Sequence, residues 1–212
     1  EGQYLTVNDT SADMSLSLLS KYTRWWPALI GPVAMLALIF IAGRIDTSKV
    51  KYYTEIVSPA ILGVAALLFA LRAWRTGNRF CMILTGLGVA FTCREIHFAG
   101  TDIGVKIALV VLIIWSIHWR KRIRGALADV SHVRWVAASA IAYTLCMLVQ
   151  KRVFKETRLA IIPNEDALHI PLEEALELVA HLLLLLSAFM GSWKVQGSRV
   201  APNSPPPESA AK

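Results

Sequence analysis

Apolar residues along the chain gather into six runs, at 26–42, 56–74, 80–98, 104–119, 133–149 and 171–193, each bounded by polar or basic residues. A helix needs about 20 mostly apolar residues to cross a hydrocarbon core, and each run approaches that length. The pattern predicts an all-α fold, a polytopic transmembrane helical bundle of six spans. Only "AGTDIG" separates the third run from the fourth, and this turn-forming stretch predicts a helical hairpin. The chain divides into a polar N-terminal segment (1–24), a six-helix membrane domain (25–193) and a C-terminal tail (194–212). The tail is rich in Pro, Ser and Ala, a composition that predicts disorder. The opening "EGQYLTVNDTSAD" has no basic region before an apolar one and does not read as a secretory leader. Met14 opens a more ordinary membrane-protein beginning, which would make residues 1–13 an upstream extension.

Composition agrees with this class. The 212 residues are 55% hydrophobic and 17% charged, with a mean hydropathy of +0.50; soluble domains are about half apolar and a quarter charged. A formal charge of +7 and a pI near 9.5 would suggest nucleic acid in a soluble protein. Here the Lys and Arg flank the apolar runs and are read as orienting them, with membrane lipids as partners and no nucleic acid. Cys81, Cys93 and Cys146 all sit inside apolar runs and read as small buried hydrophobes, not as a disulfide framework or a metal motif.

Charge also sets orientation. With six spans both termini share a side, and the short loops "RAWRTGNR" and "RKRIRG" fall on it. The positive-inside rule then makes this side cytoplasmic, in a bacterial inner membrane. All seven tryptophans (Trp25, Trp26, Trp74, Trp115, Trp119, Trp135 and Trp193) fall near span ends on that same side, as an interfacial aromatic belt does. The loop after the fifth run begins "KRVFK", which reads as a surface helix on anionic lipid or as a solvated helix end.

The sixth run is unusual. "PLEEALELVAH" places Glu173, Glu174, Glu177 and His181 in the first half of a spanning helix. Pro171 fits a first helical turn. Glu173 and Glu174 are then read as an amino-terminal pair favoured by the helix dipole. Glu177 and His181 lie about 9 and 15 Å past Pro171 at 1.5 Å per residue, too deep for that account. Spaced i, i+4, they share a face. An ionised group at mid-bilayer costs at least about 2.5–3.5 kcal/mol, so such groups face inward and find partners. The third run ends in "CREIHFAGTD", which brings Arg94, Glu95, His97 and Asp102 to the same membrane depth. With His169 from the preceding loop, these residues define an expected pocket that opens away from the cytoplasm.

Two readings of the pocket are open. In one, Arg94 pairs with Glu95 or Glu177 and the histidines hydrogen-bond to neighbours, as polar cross-links between helices. In the other, Glu95, His97, Glu177 and His181 form a mixed nitrogen and oxygen set suited to a divalent Zn, Mn or Fe ion. His118, at the end of the fourth run, and His132, in the following loop, read as interfacial. A b-type haem is disfavoured, because His97 and His181 both lie near one interface among carboxylates.

"REIHF" (94–98) together with "PLEEALELVAHLLLLL" (171–186) resembles a set of uncharacterised six-span bacterial inner-membrane proteins that carry an R-E-x-[HD]-F element and an E-E-x-x-E-L last helix. The resemblance implies the scaffold and no activity. More distantly the layout is similar to the membrane metal-hydrolase superfamily that includes alkaline ceramidases. This chain lacks that group's H-x-x-x-H helix and S-x-x-x-H element.

The function expected from these observations is binding of a small ligand, a cation or a partner membrane protein. Two alternatives stand beside it: a metal-dependent intramembrane hydrolase of a lipid or lipid-linked substrate, with Glu177 or Glu95 as general base, and a structural or assembly subunit. A P-loop, a dinucleotide fingerprint, a nucleophile elbow and kinase elements are all lacking.

Overall fold

A computed structural model describes residues 24–41, 47–96, 100–127, 130–156, 165–191 and 193. The polar segment up to residue 23, the tail from 194 and His97 lie outside these residues, as does the side chain of Asp102. The described chain is all helical: a 3-10 turn, Trp26–Leu29, then α1 (Ile30–Ile41), α2 (Thr47–Thr76), α3 (Arg79–Ile96), α4 (Thr101–His118), α5 (Arg120–Ala126), α6 (Val130–Gln150), α7 (Val153–Glu156) and α8 (Glu165–Phe189). Each of the six apolar runs holds one of the longer helices, α1, α2, α3, α4, α6 and α8.

By length and hydropathy two helices can cross a membrane: Tyr52–Thr76, with mean hydropathy 2.1, and Ser131–Gln150, with 1.4. A third joins them if Ile103–His118 and Arg120–Ala126, bent by 84° at Trp119, count as one span, and Trp26–Ile41 is a shorter apolar helix. Helices α3 and α8 fall outside this set. Each carries charge within its apolar stretch: Arg79, Arg94 and Glu95 on α3, and Glu173, Glu174 and Glu177 on α8.

At the centre lies α8, packed on α6, α2 and α1; α2 packs on α3, and α3 on α4 and α5. The α8 face with Leu172, Leu176, Ala180, Leu183, Leu184 and Ala188 is buried, whereas Ile170, Leu182 and Phe189 are exposed. Close helix approach depends on small residues, which let two backbones meet. Ala138 and Ala142 of α6 meet Ala180 of α8, and Ser139 donates a 2.8 Å hydrogen bond to the Ala180 carbonyl. Gly88 of α3 faces Ala66 of α2 so closely that an added Cβ would lie 3.0 Å from the Ala66 Cβ and 3.3 Å from its Cα, whereas Gly63 on α2 has open space. Gly88→Ala is therefore expected to lower stability by about 1–3 kcal/mol through overpacking. Gly63→Ala should be neutral or gain up to about 1 kcal/mol from helix propensity. Thermal unfolding of both variants in one detergent checks the pair; equal shifts would refute the α2–α3 contact.

Helices α3 and α6 touch through the Phe91 and Tyr143 rings, 5.0 Å apart. Beside that contact runs a cleft of about 420 Å³, lined by apolar residues of α3, α4, α6 and α8 with Ser139, Tyr143 and Arg94.

Three expectations need correction. Pro171 is not in the first turn of the last helix: α8 begins at Glu165 and Pro171 lies inside it. The absent proline N–H forfeits one backbone bond, to residue 167, but the turn before it is still helical. Glu173 and Glu174 are therefore about two turns in, beyond the range of the helix-end dipole that was to explain them. The second correction is Arg72, counted above with a short basic loop that orients the chain. It is 1% exposed, inside the bundle. The third is His132, expected at the interface after the fourth run. It lies on α6 and is 1% exposed.

Candidate functional site

Helices α2 and α8 begin, and α3 and α6 end, at one pole of the four-helix core, and the carboxylates gather there. Arg94 and Glu95 come from the last turn of α3, where a backbone already helical from Arg79 carries them to this pole. Glu177 and His181 come from one face of α8. That face is turned inward: Glu177 is 8% exposed and His181 1%. Arg94 Nη2 lies 3.0 Å from Glu177 Oε1, the pairing expected from sequence. Glu95, Glu177 and His181 each offer one ligand atom, and these atoms all lie within 4.8 Å of one another. Arg94 engages one oxygen of Glu177, and a carboxylate with about four lone-pair sites keeps acceptor capacity beyond that contact.

Two buried polar atoms beside this group have no hydrogen-bond partner among the described residues: His181 Nδ1 and the Tyr143 hydroxyl. The rings of Tyr143 and His181 meet edge to face at 5.5 Å. A buried donor or acceptor left unmade costs about 1–3 kcal/mol, so orphans of this kind mark a place where the fold gives up stability.

Around the centre the other expected residues have separate employments. Glu174 accepts a 2.7 Å hydrogen bond from Thr54 Oγ1 of α2, and Glu173 accepts one of 2.8 Å from Gln150 Nε2 of α6. His169 Nε2 lies 3.1 Å from Arg152 Nη2, just past the end of α6. Arg94, Glu95, Glu177 and His181 are thus brought together, Glu173 and Glu174 tie α8 to its neighbours, and His169 belongs to a contact at the rim. His97 lies outside the described residues, and so does the side chain of Asp102.

Sequence reading missed the contributions of α2 and α6. Tyr143, Cys146 and Gln150 follow i, i+3, i+7 spacing, which puts them on one face of α6, and Thr54 and Ser58 are i, i+4 on α2. Such polar stripes on apolar helices were the available signal. Cys146 is buried and free, with Sγ 3.5 Å from the Glu173 carbonyl.

A second polar cluster occupies the opposite pole. Arg72 of α2 donates to the Met190 carbonyl just past α8, and its guanidinium lies 5.8 Å from the Trp193 ring centroid. A cation there complements the negative end of the α8 dipole. His132 Nδ1 lies 3.1 Å from Arg72 Nη1 and 2.9 Å from the Ser187 carbonyl. An arginine only donates and a carbonyl only accepts. This nitrogen therefore either gives a proton to Ser187 or accepts one from Arg72, never both. The same pole gathers the tryptophans, with Trp26 against Trp135 at 5.4 Å and Arg79 over Trp119 at 5.0 Å.

Two carboxylates and an imidazole make a set that a divalent ion of the Zn, Mn or Fe type accepts, with coordination positions left for water or a ligand. The same atoms serve equally as a cross-link between α3 and α8. No family model, no curated protein and no solved structure matches this chain, so the site rests on its own geometry.

Proposed function

We propose that this chain is a six-span protein of a bacterial inner membrane, with both termini cytoplasmic. On this reading a chamber on the opposite side binds a divalent cation at Glu95, Glu177 and His181. The observation that carries the reading is the convergence of these ligand atoms within 4.8 Å, between α3 and the buried face of α8, beside a His181 Nδ1 that has no hydrogen-bond partner among the described residues. The six apolar runs, each holding a helix, and the tryptophans gathered at one pole support the topology. A carboxylate–imidazole chamber is a costly feature in a lipid-facing bundle, and intramembrane ionisable groups mark binding sites by default.

A second reading is favoured by one feature, the apolar cleft between α3 and α6 that reaches Arg94 and Tyr143. It would admit the tail of a lipid or lipid-linked substrate to the carboxylates. The chain would then be a hydrolase, with Glu177 or Glu95 taking the proton of the attacking water.

Two measurements test the proposal. Metal analysis of protein purified without chelators should find about one divalent ion per chain. Glu177→Ala and His181→Ala should each lower that content, because each should weaken metal affinity by at least the roughly 10- to 100-fold that loss of an outer-shell partner costs. Glu173→Ala, bonded to Gln150 instead, should change it little. Metal content unmoved by the first two changes would leave only the structural cross-link. Topology is tested by single cysteines at Ser48, Asn164 and Ser204: the first two should label from outside and the third only after permeabilisation. Labelling of Ser48 and Asn164 from opposite sides would break the six-span arrangement.

A further inference from the structure

At the tryptophan pole α4 turns by 84° into α5 at Trp119. Ile123 and Ala126 of α5 are buried, and Ile123 packs in a cluster with Ile83, Leu112, Phe80, Leu87 and Trp119. Between and beyond them α5 carries Arg120, Lys121, Arg122 and Arg124, all exposed. None of these four cations meets a carboxylate among the described residues. At the elbow lies a cavity of about 640 Å³, lined by Ile117, His118, Trp119, Arg120, Lys121 and Arg122. Trp115 stacks obliquely on Trp119 at 5.3 Å, and Arg79 holds Trp119 from the α3 side. Below the elbow, Ile107, Val110, Ile114 and Ile117 form an exposed apolar stripe along α4.

We propose that this elbow is a binding site for one anionic phospholipid. Its phosphodiester is held by Arg120, Lys121 and Arg122, and its acyl chains lie along the α4 stripe. The cations match a phosphate, with arginine forks suited to its oxygens. The apolar stripe directly beneath is what selects a lipid over a free phosphate. The aromatic pair sits at the level where a headgroup meets its chains. This inference rests on membrane insertion and is independent of the cation site at the other pole.

The test reconstitutes the full chain in bilayers of nine parts phosphatidylcholine to one of phosphatidylglycerol. The protein is then extracted in mild detergent and its retained lipids weighed by mass spectrometry. Wild type should retain phosphatidylglycerol well above its bulk share. The triple variant Arg120→Gln/Lys121→Gln/Arg122→Gln should lose on the order of a hundredfold in relative affinity, since each basic side chain near an anionic surface contributes about fivefold. The control Arg75→Gln/Lys106→Gln/Lys151→Gln should keep the enrichment. If the triple variant aggregates, Lys121→Glu gives the same reading through one reversed charge. Enrichment that survives the elbow changes, or falls equally in the control, would overturn the proposal. Displacement by millimolar glycerol phosphate as effective as by the intact lipid would overturn it too, since the apolar stripe would then play no part. Failure of the protein to enter any bilayer would overturn the membrane reading itself.

Discussion

Replacing Arg94 by Met should cost about 3 kcal/mol of stability, and adding Glu177→Gln should restore much of it. The arginine reaches Glu177 at 3.0 Å, with the acid side chain 11% exposed and the arginine 34%. Breaking one half of a buried pair costs about 3–5 kcal/mol because the other charge stays behind; the partial exposure of Arg94 sets the expectation at the low end. In Arg94→Met the carboxylates of Glu95 and Glu177 face each other without that cation. In the double variant one of those charges is gone and the penalty falls away. For a chain of this length 3 kcal/mol corresponds to about 6–12 °C in melting temperature. A divalent ion sharpens the test. If Glu95, Glu177 and His181 bind one, adding the ion should raise the melting temperature of Arg94→Met more than that of wild type, because the ion supplies the missing positive charge. In the double variant the rise should disappear with the ligand. A double variant as unstable as the single one would show that Arg94 and Glu177 are not energetically coupled.

Arg72→Leu should be about as damaging, for a different reason. The side chain is 1% exposed and donates to the Met190 carbonyl beyond α8, close to His132 Nδ1. Hydrogen bonds from a charged group contribute about 1.5–3 kcal/mol each, and leucine leaves unfilled the space of the guanidinium under Trp193. The expected loss is about 3 kcal/mol, with early opening at the carboxyl end of α8. Hydrogen exchange of the amides at 185–191 against those at 172–178 locates it. Arg75→Leu, an exposed neighbour on the same helix, should move stability by less than about 0.5 kcal/mol. Equal effects of the two changes would mean that the burial of Arg72 carries no energetic weight.

Much of this arrangement was already written in the chain. Six apolar runs set where the helices lie, because a stretch of this length rich in Leu, Ile, Val and Ala has few alternatives to helix, and the Pro and Gly residues inside those helices do not break them. The i, i+4 spacing of Glu177 and His181 fixed that they share a face. Their cost in an apolar environment implied that the face is turned inward, toward the polar end of α3 at matching depth, with Arg94 and Glu95 on it. In a helix apolar on every side, polar residues are the only local marker of the inner face.

Tertiary structure decided the rest. Arg72 and Arg75 look alike in sequence, three residues apart in one basic stretch; only the packing of α8 against α2, with His132 of α6 alongside, buries the first and leaves the second in the open. His132 was legible as a polar residue near a helix start, yet its burial depends on Phe69 and Phe80 from two other helices, whose rings lie 6.0 and 5.6 Å away. Pro171 pointed to a helix start because proline is favoured in a first turn, but one lost backbone bond is a small local cost against the contacts of a 25-residue helix. The place of Tyr143 against His181 depends on Ala138, Ala142 and Ala180, which let α6 and α8 approach closely. Local sequence determines which residues are helical and which cannot face lipid, since both follow from backbone and solvation energies of short segments. Which polar groups meet is set by contacts between segments far apart in the chain, and those depend on the packing of all the helices at once.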